Sequence, residues 1–367
     1  MNAELTRREF LALLGATSVA VDALSAAKFP GWAMGPFVKL PKPVLSPTPD
    51  SRFRCPVLGK EVSFESQNVF NAAAIVRKGK VYILYRSDGE SWWDWHGRKM
   101  PTCRIGMAFS SDGRHFTRYG KPVVYPDDDD FKQYEWPGGC EDLHIVEDET
   151  GTYYMNYTTW TGERDSMCIA TSKDLVHWTK HGPAFRKYAP DKIWGSRSGV
   201  VISRQVGDRL IATRIGGLYW MYYTHPCWLA SSENLIDWKP SVRRVFTEFR
   251  RGYFDSASNE AGAIALLRDD GILIMFNAQN QTPERGGTPE FLGWTQGQAL
   301  LDRNDLMRII ARLDKPFLYA EFDWEKRGYT NDAIVANGMA PFRGEWLLYY
   351  GASDRHIGLA VYRPHTE

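Results

Sequence analysis

The chain has no surplus charge: 45 Lys plus Arg stand against 44 Asp plus Glu, a net charge of +1 with no basic stripe. Without a field that gathers a polyanion, nucleic acid is not an expected partner. It also lacks a long apolar run; the clearest, Leu11 to Leu24, is too short for a permanent bilayer anchor, so no stable membrane insertion is expected. The five cysteines, Cys55, Cys103, Cys140, Cys168 and Cys227, are widely separated and match no zinc-knuckle or redox spacing, so no disulfide framework follows. A nucleophilic serine elbow, a phosphate-binding glycine loop and a dinucleotide fingerprint are all missing, and no cofactor is expected. The acidic run Asp127 to Asp130 lacks the alternating ligand spacing of a calcium loop and reads as a solvated turn. His96, His144 and His225 read as hydrogen-bonded loop or pocket residues, so no metal is assigned.

Aromatic side chains, in contrast, are plentiful: 14 Trp, 18 Tyr and 18 Phe exceed what one core of this size needs. Their faces serve either β-sheet packing or stacking in a sugar cleft, and Trp92, Trp93, Trp95, Trp136 and Trp160 are the candidates for the second use. With 43% hydrophobic and 24% charged residues the chain is globular, neither disordered nor a polytopic membrane protein. Residues 1–30 read as a separate unit. Arg7-Arg8 precede the short apolar stretch, and Ser25, Ala26 and Ala27 offer a cleavage region, which is the pattern of a twin-arginine export signal. The expected location is periplasmic or extracellular. That route carries proteins already folded, so free buried thiols are compatible with it. Residues 31–367 are then expected to form one domain.

From about residue 60 the chain repeats itself. Five segments pair two apolar runs across a turn: Ala74 to Tyr85, Leu143 to Tyr157, Val200 to Ile211, Ala263 to Phe276 and Ala333 to Tyr350. Each predicts a β-hairpin. A second phrase recurs between them, Ser110-Ser111-Asp112 with Phe116, Ser172-Lys173-Asp174 with Trp178, and Ser232-Glu233-Asn234 with Trp238, plus a degenerate copy around Asp305. It predicts a tight Asx turn whose aromatic residue tucks beneath a sheet. Three or four strands per repeat, arranged around an axis, make an all-β fold, a five-bladed β-propeller.

Propellers put functional groups where the inner strands converge at one mouth of the axial channel. Polar residues at the strand ends there are Asn71, Arg86, Asp88, Arg104, Glu141, Asp142, Arg197, Arg214, Asp255, Glu260, Asn277, Asn331, Asp332 and Asp354, with Trp136 just upstream of Glu141-Asp142. Any one of them alone could be a turn cap. Together, carboxylates and arginines beside glycines and Trp predict an axial polar pocket.

Phe70-Asn71-Ala72-Ala73-Ala74-Ile75, Tyr85-Arg86, Gly139-Cys140-Glu141-Asp142, Gly297-Gln298-Ala299-Leu300-Leu301-Asp302 and Tyr349-Tyr350-Gly351-Ala352-Ser353-Asp354 resemble glycoside hydrolase family 130 from about residue 60 to the end. The resemblance implies a five-bladed propeller that cleaves β-mannosides by hydrolysis or phosphorolysis, with an oligosaccharide or glycoside as partner. It also implies Asp142 as proton donor. Two departures stand out: Leu143-His144 replace the family's Pro-Arg, and the basic cluster that holds phosphate aligns only in part, through Arg197 and Arg214. The segment Asp255-Ser256 to Glu260-Ala261-Gly262 resembles a hydrolase-like phrase. The expectation is therefore an exported, inverting β-mannoside hydrolase, with Asp142 as acid and Glu260 as the base activating water, and Asp255 or Glu321 as substitutes. Export weighs against phosphorolysis, because a sugar phosphate is useful only in the cytoplasm. The alternatives are a β-mannoside phosphorylase on the same fold and a non-catalytic glycan-binding propeller. The oligomeric state is not legible.

Overall fold

A computed structural model describes residues 29–223, 227–246 and 249–364. The proposed export signal and His225 lie outside the described residues. The main strands fall into five antiparallel groups that follow one another as blades, with short parallel pairings, Glu147 to Ile211 and Ile202 to Ala265, linking blades II, III and IV into one sheet. Blade I holds Asn68–Arg77, Lys80–Asp88, Arg104–Ser110 and Thr117–Arg118, and blade II holds Gly139–Glu147, Tyr153–Trp160, Asp165–Ser172 and Thr179–Pro183. Blade III is built from Gly199–Val206, Leu218–Tyr223, Trp228–Ser232 and Trp238–Arg244. Blade IV comprises Ser258–Arg268, Gly271–Gln279, Trp294–Leu301 and Ile309–Arg312. In blade V the chain supplies Ile334–Phe342, Glu345–Ala352 and His356–Tyr362, and the fourth strand is Val38–Lys39 from the N-terminal side, paired through Val38 and Val361. The expected five-bladed propeller is the fold.

The recurring turn phrase works as its chemistry requires. Ser110 Oγ accepts the amides of Asp112 and Gly113, while Asp112 Oδ1 accepts those of Arg114 and His115. Asp174 and Asn234 repeat the arrangement, and there the following aromatic is pinned, Trp178 Nε1 donating to Leu175 O and Trp238 Nε1 to Leu235 O. Blade III departs from the expected single hairpin. Its inner strand pairs with Arg209–Ala212 over its second half but with Leu218–Tyr223 over its first, and a short hairpin starting at Arg214 is inserted between them.

Apolar runs on the inner strands reflect burial on both faces, against neighbouring blades. Four of the five inner strands also carry a register irregularity: between Phe70 and Ala73, Glu141 and His144, Ala261 and Ala265, and Ala336 and Gly338. A bulge re-aims side chains and bends its strand. Asn71 (φ 48°) and Asp142 (φ 31°) sit in these bulges with left-handed backbone, unusual for residues with a Cβ. Gly351 is required beside one of them, since a Cβ there would lie 2.4 Å from Asn71 Oδ1.

A buried carboxylate, an aromatic ring and a cation recur inside the blades. Glu65 accepts from Tyr85 Oη and Arg118, Glu135 from Tyr157 Oη and Lys180, and Glu325 from Tyr350 Oη and Lys39. In each the acid precedes the blade, the tyrosine comes from the second strand and the cation from the fourth. Blade IV has a variant in which Asp255 pairs with Arg312 from the fourth strand and with Arg250, and Phe276 replaces the tyrosine beneath the Arg312 guanidinium. Each carboxylate is fully desolvated yet paired, the condition under which a buried charge is tolerated.

Candidate active site

The bulges deliver their side chains to one mouth of the propeller. A cavity of about 410 Å³ opens there, lined by Asn71 and Arg86 of blade I, Asp142 of blade II, Arg197 ahead of blade III and Glu260 of blade IV. Asp354, after the second strand of blade V, completes the ring.

Asp142 is the hub. Its Oδ1 accepts from Asn71 Nδ2 at 2.8 Å and lies 3.3 Å from Arg86 Nη1, while Oδ2 accepts from Arg197 Nη2 at 2.8 Å. Both arginines also reach the neighbouring Glu141, Arg86 Nη2 at 3.0 Å and Arg197 Nη2 at 3.6 Å. Burial alone would raise the Asp142 pKa, but Arg86 and Arg197, with the Asn71 hydrogen bond, outweigh it and hold it at about 2. The carboxyl is therefore ionised at neutral pH among these partners. Burial dominates at Glu141 and Asp354 and pushes both upward, with Thr330 bonding Asp354. Glu260 Oε1 accepts from Ser198 Oγ, next to Arg197 in the chain.

Other predicted site residues fall elsewhere. Asp88, opposite Asn68 in the first hairpin, accepts from Asn68 Nδ2 through both carboxylate oxygens and is raised by burial to about 6. Arg104, 1% exposed, spends its guanidinium on Ser91 Oγ, Thr102 O and Cys55 Sγ and stacks over Phe53, so it braces blade I. Asp255 belongs to the blade IV carboxylate cluster described above. Asn277 is buried with Oδ1 accepting from Gln296 Nε2 and the Ala336 amide, a tie between blades IV and V. Arg214 is carried off by the inserted hairpin, where it binds Gly217 O and Glu233 O and covers Tyr219. Asp332 is not among the lining residues, although Thr330 and Ala333 beside it in the chain are. Trp136 is not among the lining residues, and Trp93 and Trp95 pack down, the first donating to Pro101 O and the second edge-on to Trp160 at 5.9 Å.

The lining aromatic is Trp294, which the sequence reading passed over, along with Ser258, Gln279 and Thr330. Its only signal was its place at the start of the strand that contains Gly297-Gln298-Ala299. His144, two residues beyond Asp142, faces a small axial cavity instead, where neither ring nitrogen has a protein partner and burial lowers its pKa to about 4. Among the described residues no group of three or more His, Cys, Asp or Glu is arranged to hold a metal ion.

A family model described as beta-1,4-mannooligosaccharide phosphorylase matches residues 46–365. The 1,2-beta-oligomannan phosphorylase of Thermoanaerobacter sp. (strain X514) is 29% identical over 330 residues, covering 87% of this chain and 94% of the relative. The beta-1,2-mannobiose phosphorylase of the same organism is 28% identical over 333 residues with the same coverage. A solved structure, described in terms of a family of mannoside phosphorylases that contains glycoside hydrolases targeting beta-1,2 mannosidic linkages in Candida mannan, is 38% identical. It superposes with a TM-score of 0.86 over 92% of this chain and 96% of the other. The curated relatives are named phosphorylases, and this overturns the expectation of hydrolysis with Glu260 as the water-activating base.

Proposed function

Because the chain belongs to glycoside hydrolase family 130, we propose that it is a β-mannoside phosphorylase acting on β-1,2-linked mannooligosaccharides. The observation that carries this reading is the pair of arginines, Arg86 and Arg197, converging on the buried Asp142 at the floor of the axial pocket. Arginine presents a fork of donors matched to phosphate oxygens, and two of them in a desolvated pocket suit an incoming phosphate.

Both guanidiniums are engaged by Asp142 and Glu141, which keeps Asp142 ionised. Phosphate changes that balance. Its negative charge beside the same arginines weakens their hold on Asp142 and raises that carboxyl, as a like charge nearby does. Asp142, raised in this way, takes a proton from the medium and passes it to the glycosidic oxygen as the bond from that oxygen to the anomeric carbon breaks, while the attacking hydrogen phosphate sheds its own proton to the medium once its oxygen has bonded to that carbon. The phosphate oxygen bonds to the anomeric carbon from the opposite face. The products are a glycosyl phosphate of inverted configuration and the shortened saccharide, with every proton accounted for. No protein base is required, and Glu260 with Ser198 instead forms a polar wall for sugar hydroxyls. Asn71 fixes the Asp142 carboxylate, and Trp294 offers an apolar face to the sugar ring.

The twin-arginine address at Arg7-Arg8 is retained as a separate part of the proposal; combined with phosphorolysis it requires a further step that carries the mannosyl phosphate into the cytoplasm, where that product is useful. The test is incubation of β-1,2-mannobiose with the purified protein across a phosphate series. Saturable formation of mannosyl phosphate is expected. Release of free mannose at the same rate with and without phosphate would overturn the reading.

A further inference from the structure

A second cavity, about 290 Å³, opens between blades II and III. Trp194, Trp228, Tyr223 and Phe185 line it with Asp191 and Ser241. Phe185 and Tyr223 pack at 4.9 Å to form its floor. Trp194 and Trp228 each carry an arginine over the ring, Arg164 at 5.5 Å and Arg244 at 5.1 Å, which holds both indoles in place.

This cavity is tied to the axial pocket by the chain itself. Trp194, Gly195 and Ser196 line it, and the next residue, Arg197, turns into the axial pocket to bind Asp142. Arg197 is three residues on from Trp194, a span of at most about 11 Å. The segment is also held firmly: Ser196 is buried, donates to Ile193 O and accepts the Met167 amide. Both openings lie at the same end of blade III, since Gly199, at the start of its inner strand, pairs with Tyr223.

We propose that this cavity is a distal sugar site, which holds one mannosyl residue of an oligosaccharide whose reacting end occupies the axial pocket. The assignment rests on the β-mannoside reading above and adds chain-length preference to it. The cavity has the size of the smallest ligand pockets, enough for a single ring, with rigid aromatic faces for the sugar's C–H surface. Asp191 is exposed at the rim, where a carboxylate accepts from sugar hydroxyls. The two cavities share no lining residue, but the short segment from Trp194 to Arg197 keeps them within reach of one oligosaccharide, which selects a sugar chain as the occupant over an unrelated small molecule.

The experiment compares β-1,2-mannobiose with β-1,2-mannotetraose in the wild type, in Trp228→Ala and in Asp191→Ala, which lies on the surface and spares the packing. Turnover is read as kcat/KM at saturating phosphate, and binding of both sugars is read by titration calorimetry. Tetraose is expected to be preferred by the wild type, with Trp228→Ala losing roughly tenfold on tetraose while mannobiose stays within about twofold. Asp191→Ala should move in the same direction by a smaller factor. Equal losses on both sugars, or tetraose binding unaffected by either substitution, would overturn the distal site. Phosphate-independent cleavage with the length effect intact would refute phosphorolysis and leave the distal site standing. Absence of tetraose binding to the wild type would remove both.

Discussion

Asp142→Asn tests the hub of the site in two independent ways. The substitution keeps the side chain's shape and its place beside Asn71, Arg86 and Arg197 but removes the charge. In the wild type those neighbours bring the carboxyl from 3.8 down to about 2, which is worth about 2 kcal/mol of folding stability at neutral pH. The sign follows from the direction: a carboxyl depressed by folding stabilises above its unfolded value near 4, and the contribution is lost as pH falls through the folded value. About half of it should remain at pH 3. Denaturant unfolding of both proteins at pH 7 and at pH 3 should therefore show a gap of about 2 kcal/mol that narrows by about half in acid. The second readout is mannosyl phosphate formation, where loss of the general acid should cost about 10²–10⁴-fold. A mutant that turns over a natural β-mannoside at the wild-type rate would refute the acid role. A stability gap that does not change with pH would refute the electrostatic account of the cluster.

Replacing Arg197 by Ala removes one half of the phosphate clamp, so the KM for phosphate should rise by about 10- to 150-fold, the value of a charge-assisted hydrogen bond; an unchanged phosphate KM would exclude it from the anion site. Asp255→Ala strips two partly buried guanidiniums of their shared, fully buried carboxylate and should destabilise by about 3 kcal/mol in denaturant unfolding, whereas a mutant of wild-type stability with a raised sugar KM would return Asp255 to the binding site. Changing both Arg7 and Arg8 to Lys should retain the protein in the cytoplasmic fraction, because the export machinery reads the guanidinium pair; unchanged export would point to another signal.

The blades were legible because hairpin turns and the Ser-x-Asp phrase are local chemistry, repeated at intervals along the chain. The pocket was legible in part for the same reason: Asn71, Arg86, Asp142, Arg197, Glu260 and Asp354 flank strand ends and do meet. Asp255, Arg104 and Asn277 flank strand ends too. What separates the groups is the direction in which each side chain leaves the strand, and bulges of one or two residues set that direction. A sequence does not display a bulge. Arg214 was misplaced because the second strand of blade III is broken by an inserted hairpin. The acid–aromatic–cation clusters escaped notice since their members come from the start and the fourth strand of each blade, and in blade V from opposite ends of the chain.

The N-terminal strand that completes blade V has a mechanical consequence. Val38 lies opposite Val361 in antiparallel register, and Leu40 and Val44 donate onward to Leu359 and Ile357. The two ends of the described chain thus leave this sheet from the same side. Tension between them loads the backbone hydrogen bonds one at a time, in an unzipping geometry, instead of shearing the whole row at once. Under a pulling force the ring should give way first at this seam, as Lys39 is drawn away from Glu325 and Glu321. A circular permutant that joins the present ends and opens the chain between two other blades would convert the seam into an ordinary hairpin and move the weak point to the new opening.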